Sequence, residues 1–315
     1  MNILFIGMSS IIKNRIIPAV EAISTIEHID CASLSKTKEG FVSLKARNFY
    51  SDYVTALSKS DAEFVYISVR NHEHAYLVKK ALNYNKHVIV DKPSVTKIED
   101  AEEIVRLADK KNKCISEALV YGYHPQLNIV RSVFKENNET PSHITVHFTM
   151  PGFIKDNFRY KKEFDGGAIF DLGPYAMSLG YEIFEADPLS CQGTKNTNNG
   201  LEVETSLNIL LKYPGGRTLI GYFGFETEYM NSVSIFSKEM LINFERIFTI
   251  PANFNNEINI RHKNISSVQK VVQADIFKEY LIDVIEGIKN NDFQKFKLRF
   301  LKNAKLLSLL RENLK

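Results

Sequence analysis

The first 120 residues alternate between short apolar runs and segments whose apolar residues recur at helical spacing. Such alternation predicts βαβ units, which bury a parallel sheet between two layers of helices. The predicted strands are Asn2–Gly7, His28–Leu34, Ala62–Val69, His87–Val90 and Lys113–Glu117. The predicted helices are Ile16–Ile23, His74–Leu82 and Ile98–Ala108. We therefore expect an α/β domain over residues 1–120, with a doubly wound parallel sheet.

The pattern changes after Pro125, where strand signals become more frequent than helix signals. The predicted strands are Ser142–Met150, Leu201–Tyr213, Arg217–Phe225, Asn231–Ser237 and Met240–Glu245. The predicted helices are Ala168–Phe184, Ala274–Lys289 and Phe293–Asn313. Residues 121–315 are thus expected to form an α+β domain on a large, open, mainly antiparallel sheet, with the C-terminal helices packing back.

Composition limits the function classes. A chain of 315 residues with 44% hydrophobic and 24% charged residues suits a soluble protein of two domains. The net charge of +3 does not indicate a nucleic-acid surface, and no apolar run is long enough to span a membrane. The N-terminus does not resemble a signal peptide. Three widely spaced cysteines, Cys31, Cys114 and Cys191, predict neither a disulfide framework nor a metal site, so we expect a cytoplasmic protein.

Residues 88–93, Val-Ile-Val-Asp-Lys-Pro, place a lysine at the end of a buried strand. The proline ends the strand and holds Lys92 at the carboxyl edge of the sheet, where ligands bind in open α/β folds. Taken alone, this pattern is more typical of a surface lysine that follows a buried strand. The active-site interpretation depends on the motifs elsewhere in the chain.

The turn after the first strand, Gly7-Met8-Ser9-Ser10-Ile11-Ile12, lies where dinucleotide-binding sheets carry a glycine-rich turn. Such a turn presents backbone N–H groups to a pyrophosphate at the N-terminus of a helix. Only the first glycine is present, so an ordinary strand-to-helix turn is the alternative. Ser9 and Ser10 are small and could add hydroxyl donors.

The second strand ends in Leu34-Ser35-Lys36-Thr37-Lys38, with no acidic residue to bind a ribose 2′-hydroxyl. A hydroxyl and ammonium groups would instead bind a 2′-phosphate, because they can donate charge-assisted hydrogen bonds to its oxygens. Ser35 and Lys36 therefore favour NADP(H) over NAD(H). The alternative is that these lysines are merely solvated.

A second dense motif runs from Phe164 to Tyr175 and contains Gly166-Gly167-Ala168. Asp171 and Tyr175 are four residues apart, so on a helix they share one face. A carboxylate beside a phenol suits proton transfer to a carbonyl or alkoxide oxygen. The alternative is a helix cap with a half-buried tyrosine.

In this order the motifs resemble the Gfo/Idh/MocA family, named after glucose–fructose oxidoreductase and inositol dehydrogenase, over essentially the whole chain. Asp91-Lys92-Pro93 resembles its Glu-Lys-Pro signature, and Asp171 to Tyr175 resembles its Asp-x-Gly-x-His/Tyr motif. The remaining matches are Gly7–Ile12 with Pro18-Ala19, Val69–His74, and Glu117-Ala118 through Tyr123–Gln126. The resemblance implies a Rossmann domain whose cofactor contacts include Gly7, Ser9, Ser10, Ile11, Ser35, Lys36, Val69, Asn71, His74, Asp91, Lys92 and Glu117.

The resemblance also implies hydride transfer between a nicotinamide and a secondary alcohol or ketone of a sugar-like substrate. Lys92 and Tyr175 would converge on the reacting oxygen, either of them as proton donor, and Asp171 would orient the substrate or the lysine. Tyrosine at position 175 resembles the branch that mostly uses NADP(H). A keto-sugar, free or nucleotide-linked, is the expected substrate; an aldose or trans-diol dehydrogenase and a non-catalytic NADP-binding regulator are the alternatives. The family further suggests a homodimer or homotetramer joined through the C-terminal sheet.

Overall fold

The computed structural model describes residues 1–35, 38–198 and 200–315, which form two compact units. The first unit contains Met1–Leu119 and Phe277–Lys305, and the second contains Val120–Ile276 and Leu306–Lys315. Residues 277–305, which the sequence analysis placed in the second domain, thus pack with the first unit. Phe300 joins the core of that unit, and the Tyr280 hydroxyl donates to Ser116 Oγ at 2.7 Å. Among the described residues, no helix has both the length and the apolarity needed to cross a bilayer.

The first unit is built on six parallel strands. They are β1 (Asn2–Ile6), β2 (His28–Ala32), β3 (Ala46–Tyr50), β4 (Phe64–Ile67), β5 (His87–Asp91) and β6 (Ile115–Ala118). Their order across the sheet is β3-β2-β1-β4-β5-β6, with every neighbouring pair parallel. This order reverses direction at β1, as in doubly wound folds. The predicted fold class of this half is confirmed.

Helices cover this sheet because their apolar residues recur at three- and four-residue spacing. They are α1 (Ile17–Glu21), which continues a π-helical turn at Ile12–Ile16, α2 (Tyr53–Lys59), α3 (His74–Asn83) and α4 (Ile98–Lys111). Two long helices end the chain, α7 (Ile276–Lys289) and α8 (Gln294–Asn313). Leu77 and Val78 of α3 and Ala101 and Ile104 of α4 pack in the same core as the strands.

The second unit contains an eight-stranded sheet in the order β14-β13-β12-β11-β7-β10-β9-β8. The strands are β7 (His143–Thr149), β8 (Ser190–Asn196), β9 (Ser206–Lys212), β10 (Thr218–Gly224), β11 (Met230–Phe236), β12 (Met240–Glu245), β13 (Asn256–His262) and β14 (Ile265–Val271). Only the β7–β10 pair among them is parallel. The helices of this unit are α5 (Pro125–Glu136) and α6 (Ala168–Phe184). The predicted mainly antiparallel sheet is confirmed.

Several elements differ from the sequence-based expectation. The strand predicted at Leu201–Tyr213 begins only at Ser206, and six of the strands and α-helices given above were not predicted. These are β3, β8, β13, β14, α2 and α5. The missed strands are polar and half-exposed, so they lack the apolar pattern on which the prediction depends; every residue of β14 but the last is exposed.

A buried carboxylate holds the missed strand β3 to β2. Asp30 is fully buried and accepts hydrogen bonds from Arg47 Nε at 3.0 Å and Arg47 Nη2 at 2.8 Å. Ser60 Oγ donates to the same carboxylate at 2.6 Å, and the Asn48 N–H at 3.2 Å. Burial alone would raise the pKa of Asp30, but these bonds together hold it below the ordinary value. The carboxylate therefore stays ionised and fixes the polar strand in place.

Candidate active site

The carboxyl edge of the first sheet brings Gly7 and Ser68 together, because β1 and β4 are adjacent parallel strands. Gly7 has a φ of +94°, and a Cβ added to it would lie 2.2 Å from the Ser68 carbonyl oxygen. The Gly7 N–H donates to the Ala32 carbonyl at 2.9 Å. The strand-to-helix turn therefore requires glycine at its first position. A turn this tight leaves a cradle of backbone, as a bound pyrophosphate needs.

Ser9 occupies the place of the second glycine and caps the following helix. Its hydroxyl oxygen accepts from the Ile12 N–H at 3.1 Å and lies 2.7 Å from Ser68 Oγ. Ser68 in turn donates its proton to Asp91 Oδ2, so Ser9 must donate to Ser68. The Ser9 hydroxyl proton is thus engaged within the protein. The turn offers a pyrophosphate mainly its backbone N–H groups.

Asp91, at the end of β5, receives a hydroxyl on each carboxylate oxygen. The Tyr66 hydroxyl donates to Oδ1 at 2.6 Å, and Ser68 donates to Oδ2. Burial raises the pKa of Asp91 above the ordinary value, and the two hydroxyls and the charge of Lys92 oppose that rise. A continuous chain of hydrogen bonds therefore runs from Ser9 through Ser68 to the residue that precedes Lys92.

Lys92 is half-buried and begins the loop that follows β5. Two side chains, those of Glu117 and His74, contact the backbone of the residues that follow Lys92. The Ser94 N–H donates to Glu117 Oε1 at 2.7 Å, and His74 Nδ1 lies 2.8 Å from the Pro93 carbonyl oxygen. The backbone on the C-terminal side of Lys92 is therefore fixed at consecutive residues.

Glu117 and His74 are both buried. Asn303 of α8 donates to Glu117 Oε2, so a residue from the end of the chain completes the support of the lysine loop. Burial raises the pKa of Glu117 and lowers the pKa of His74. The cofactor-binding roles of both residues stay predictions. Asn303 is a site residue that the sequence analysis missed, since no local motif marks it.

The remaining predicted cofactor residues lie around the same edge or beyond what is described. Asn71 is buried in a short 3₁₀ turn after β4, and the Val69 carbonyl oxygen lies 3.3 Å from His74 Nε2. Ser10 and Ile11 are exposed at the start of the first helix, and Ser35 is exposed after β2. Lys36 lies outside the described residues. The described 2′-phosphate candidate is therefore Ser35 alone.

In the second unit, Tyr175 lies on α6 within a group of aromatic rings. The ring centroids of Tyr121, Phe148 and Phe248 lie 6.0, 5.3 and 5.1 Å from that of Tyr175. The Tyr121 hydroxyl is 2.8 Å from the Oγ of Ser178, which lies on α6 as Tyr175 does. These contacts leave the phenol ring little freedom, as a proton donor that must meet its substrate in one geometry requires.

Asp171 lies one helical turn before Tyr175, as predicted, and pairs with Arg159, which is not among the predicted site residues. Arg159 Nε donates to Asp171 Oδ2 at 2.9 Å. The Arg159 guanidinium also lies over the rings of Phe153 and Phe158, at 4.8 and 4.7 Å from their centroids. The Asp171 carboxylate thus faces a fixed positive charge.

The two glycines before α6 bring Arg159 to Asp171. The Gly166 N–H donates to the Lys161 carbonyl at 3.0 Å, and the Gly167 N–H to the Arg159 carbonyl at 2.8 Å. Glu204 caps the helix, since its Oε1 accepts from the Ile169 N–H at 2.9 Å. The Gly-Gly-Ala motif is therefore a folding device for the loop that carries Arg159.

Comparison with known families fits both halves of this chain. Residues 1–119 match the model of the oxidoreductase family with an NAD-binding Rossmann fold, and residues 139–242 match the GFO/IDH/MocA C-terminal domain. The chain belongs to the Gfo/Idh/MocA oxidoreductase family. The predicted family and the predicted enzyme class, an oxidoreductase, are confirmed.

Among sequence relatives of this Gfo/Idh/MocA protein is a dTDP-3,4-didehydro-2,6-dideoxy-alpha-D-glucose 3-reductase from Saccharopolyspora spinosa. It is 27% identical over 264 residues, which cover 82% of this chain and 79% of the relative. A D-xylose 1-dehydrogenase (NADP(+)) from Haloferax volcanii is 24% identical, over 70% and 69% of the two chains. Among solved structures, a 3-ketoreductase from Actinomadura kijaniata in complex with NADP and TDP-benzene has a TM-score of 0.90 at 22% identity. That match covers 100% of this chain and 98% of the other, and it confirms the fold.

Proposed function

We propose that this protein is an NADP(H)-dependent oxidoreductase that reduces a keto group on a nucleotide-linked sugar. The observation that carries the proposal is the chain of hydrogen bonds Ser9–Ser68–Asp91. It joins the tight turn at Gly7, suited to a dinucleotide, to the residue next to Lys92 within one unit. A binding turn and a cationic side chain at one sheet edge are what hydride transfer to a carbonyl requires.

The residues of the first unit fit the cofactor that the family implies. The Gly7 turn would hold the pyrophosphate on backbone N–H groups, and Ser35 would face the 2′-phosphate. Bound NADPH supplies the hydride to the carbonyl carbon. The preference for NADP(H) is supported by the absence of an acid from residues 33–38, directly after β2, and by a relative and a solved structure whose names include NADP.

We assign proton and charge chemistry to Lys92, Tyr175 and Asp171. The Lys92 ammonium would stabilise the negative charge that develops on the carbonyl oxygen. Tyr175 or Lys92 would donate the proton, and Asp171 would orient the substrate. The convergence of Lys92 and Tyr175 on one oxygen stays a prediction.

The substrate class is supported by relatives. The name of the Saccharopolyspora relative is that of a dTDP-keto-sugar reductase, and the Actinomadura ketoreductase was crystallised with TDP-benzene. Oxidation of an aldose or a trans-diol is the second candidate, because a D-xylose dehydrogenase and trans-1,2-dihydrobenzene-1,2-diol dehydrogenases are also relatives. A regulator without chemistry would have no need to hold Lys92, Asp171 and Tyr175 in place.

Turnover of NADPH with a panel of dTDP-keto-sugars, and of NADP with aldoses and diols, tests the proposal through the change in NADPH absorbance. Lys92→Met should lower kcat by about 100-fold or more, because charge stabilisation and proton transfer each contribute that much. NADPH binding and the melting temperature should change little. Lys79→Met is the matched control, since Lys79 pairs with Asp100 and Glu103 on the outer helices. Binding of NADPH without turnover of any substrate would indicate a regulator instead.

Assembly through the second sheet is a further part of the proposal. Alternate residues on its central strands, among them Thr145, Ile220 and Ser234, share one face and are half-buried or exposed. Ile220 alone is 46% exposed. A homodimer or homotetramer would cover this face. Light scattering of the wild type and of Ile220→Lys tests it, and a wild-type monomer at micromolar concentration would contradict it.

A further inference from the structure

The backbone on both sides of Arg159 is anchored. The Tyr160 hydroxyl accepts from the Phe153 N–H at 2.9 Å, and the Tyr160 ring is buried 6.5 Å from Phe225. The Arg159 N–H donates to Asn157 Oδ1 at 3.0 Å, and the Arg159 carbonyl accepts from the Gly167 N–H. With two phenylalanine rings packed against the guanidinium, the side chain has one well-defined position before any ligand arrives.

The guanidinium of Arg159 uses only part of its donor capacity. Its Nε donates to Asp171, whereas neither Nη1 nor Nη2 makes a hydrogen bond to any residue that the structure describes. The Arg159 side chain is 29% exposed. An arginine carries five N–H donors in a planar fork, and four of them stay available here.

A planar fork packed against two rings suits phosphate more than a neutral sugar. Guanidinium binds phosphate and carboxylate through paired, charge-assisted hydrogen bonds, and it is more weakly hydrated than ammonium. The Asp171 carboxylate is bound at Nε of Arg159, so the Nη1 and Nη2 groups are left to bind an anionic ligand. Asp171 precedes Tyr175 by four residues, a rise of about 6 Å along the helix. A sugar whose carbonyl reaches Tyr175 therefore has its substituents within reach of Arg159.

We propose that Arg159 binds a phosphate of the nucleotide part of the substrate and thereby selects nucleotide-linked over free sugars. This inference rests on the proposed function and names a specificity residue for it. Arg159 touches the substrate at a distance from the reacting carbon, so it contributes to binding and to KM. Lysine could keep the charge at this position but neither the fork nor the stacking on two rings.

The binding test compares TDP with thymidine by calorimetry, with NADPH present, in the wild type and in Arg159→Met and Arg159→Lys. Loss of a charge-assisted bond should weaken TDP binding by about 10- to 100-fold in Arg159→Met, and thymidine binding by less than about threefold. The TDP affinity of Arg159→Lys should lie between those of the wild type and Arg159→Met. Because lysine can keep the ion pair with Asp171, this variant still tests the proposal if Arg159→Met folds poorly. Equal losses for TDP and thymidine would overturn the proposal.

Arg217→Met is the matched control. Arg217 also lies over a phenylalanine ring, that of Phe184 at the far end of α6, but its Nε and Nη1 donate to the carbonyls of Pro214 and Phe184 and not to a carboxylate. TDP binding should be unchanged in this variant. Arg159 could bind a phosphate of the substrate or one of the cofactor, and NADPH affinity distinguishes the two. Weaker NADPH binding in Arg159→Met would assign the guanidinium to the cofactor and overturn the proposal.

Kinetics separate this inference from the proposed function. With a turned-over dTDP-sugar, Arg159→Met should raise KM by about 10- to 100-fold, with kcat within about threefold. A fall in kcat at unchanged KM would show that Arg159 acts only by positioning Asp171. If no sugar is turned over, the proposed function fails, whereas a TDP affinity that depends on Arg159 still supports the phosphate site.

Discussion

Gly166 provides the sharpest test of how the fold positions Arg159 and Asp171 in the second unit. A Cβ added at this position would meet three backbone oxygens, those of Arg159 at 2.6 Å and of Lys161 and Phe158 at 2.8 Å. Real Cβ atoms do not approach closer than 3.0 Å. Since the obstacles are carbonyls of one tight turn, no change of side-chain rotamer can relieve the contact. Gly166→Ala must therefore displace the turn that carries Arg159 and disturb its pair with Asp171.

The size of the effect follows from this geometry. Overpacking of this kind costs about 1–3 kcal/mol, which corresponds to a fall in melting temperature of about 2–10 °C for a protein of this size. The turn must move by about 0.4 Å to reach the 3.0 Å limit. Because displacements of about 1 Å cost around 100-fold in rate, we expect kcat/KM to fall by about 10- to 100-fold.

Calorimetry and NADPH-coupled turnover check both expectations, and NADPH fluorescence provides an internal control. NADPH affinity should be unchanged, because all predicted cofactor contacts belong to the first unit. The matched variant is Gly215→Ala, where φ is +76° but no atom lies within 4 Å of the added Cβ. It should lower the melting temperature by a few degrees, about 1 kcal/mol of backbone strain, without changing turnover. Wild-type kcat/KM in Gly166→Ala would refute the reasoning.

Two further predictions concern the first unit. Gly7→Ala should weaken NADPH binding by more than about tenfold, because its Cβ would lie 2.2 Å from the Ser68 carbonyl oxygen. Gly40→Ala is the control: its Cβ would lie 3.8 Å from the nearest atom, so NADPH binding should not weaken. Fluorescence titration measures the NADPH affinity of both variants. Asp30→Asn should destabilise the protein by about 3 kcal/mol at neutral pH in urea unfolding, because Arg47 would be left without its buried partner. The pKa of Asp30 is lowered by folding, so its stabilisation is present above its unfolded value of about 4 and is lost as the pH falls below it. The gap between wild type and variant should therefore narrow in acid, and a constant gap would contradict this.

Local patterns were sufficient for the central strands and for the motifs. β1, β4 and β5 are apolar runs with turn residues behind them, and Gly7 and Lys92 follow β1 and β5 where predicted, whereas Ser68 after β4 was not predicted as a site residue. Patterns failed where a strand is stabilised by distant partners. β3 is polar, and it forms because Arg47 reaches the buried Asp30.

The supporting residues of the site could not be found in the same way. Asn303 reaches Glu117 across 186 positions of the chain, and Glu204 caps α6 from 35 positions away. Arg159 lies in a loop without periodicity, 12 positions before Asp171. Nothing near these residues in the chain distinguishes them from other polar residues of the protein.

The sequence by itself determined the alternation of strands and helices, the family and the residues predicted to do the chemistry. It could do so because periodicity and turn chemistry involve side chains only a few positions apart. The tertiary structure alone decided which partner each buried polar group meets, from the Ser9–Ser68–Asp91 chain to the Arg159 pair. A buried donor or acceptor must be satisfied by whatever folding brings within 3 Å of it, and separation along the chain does not fix that.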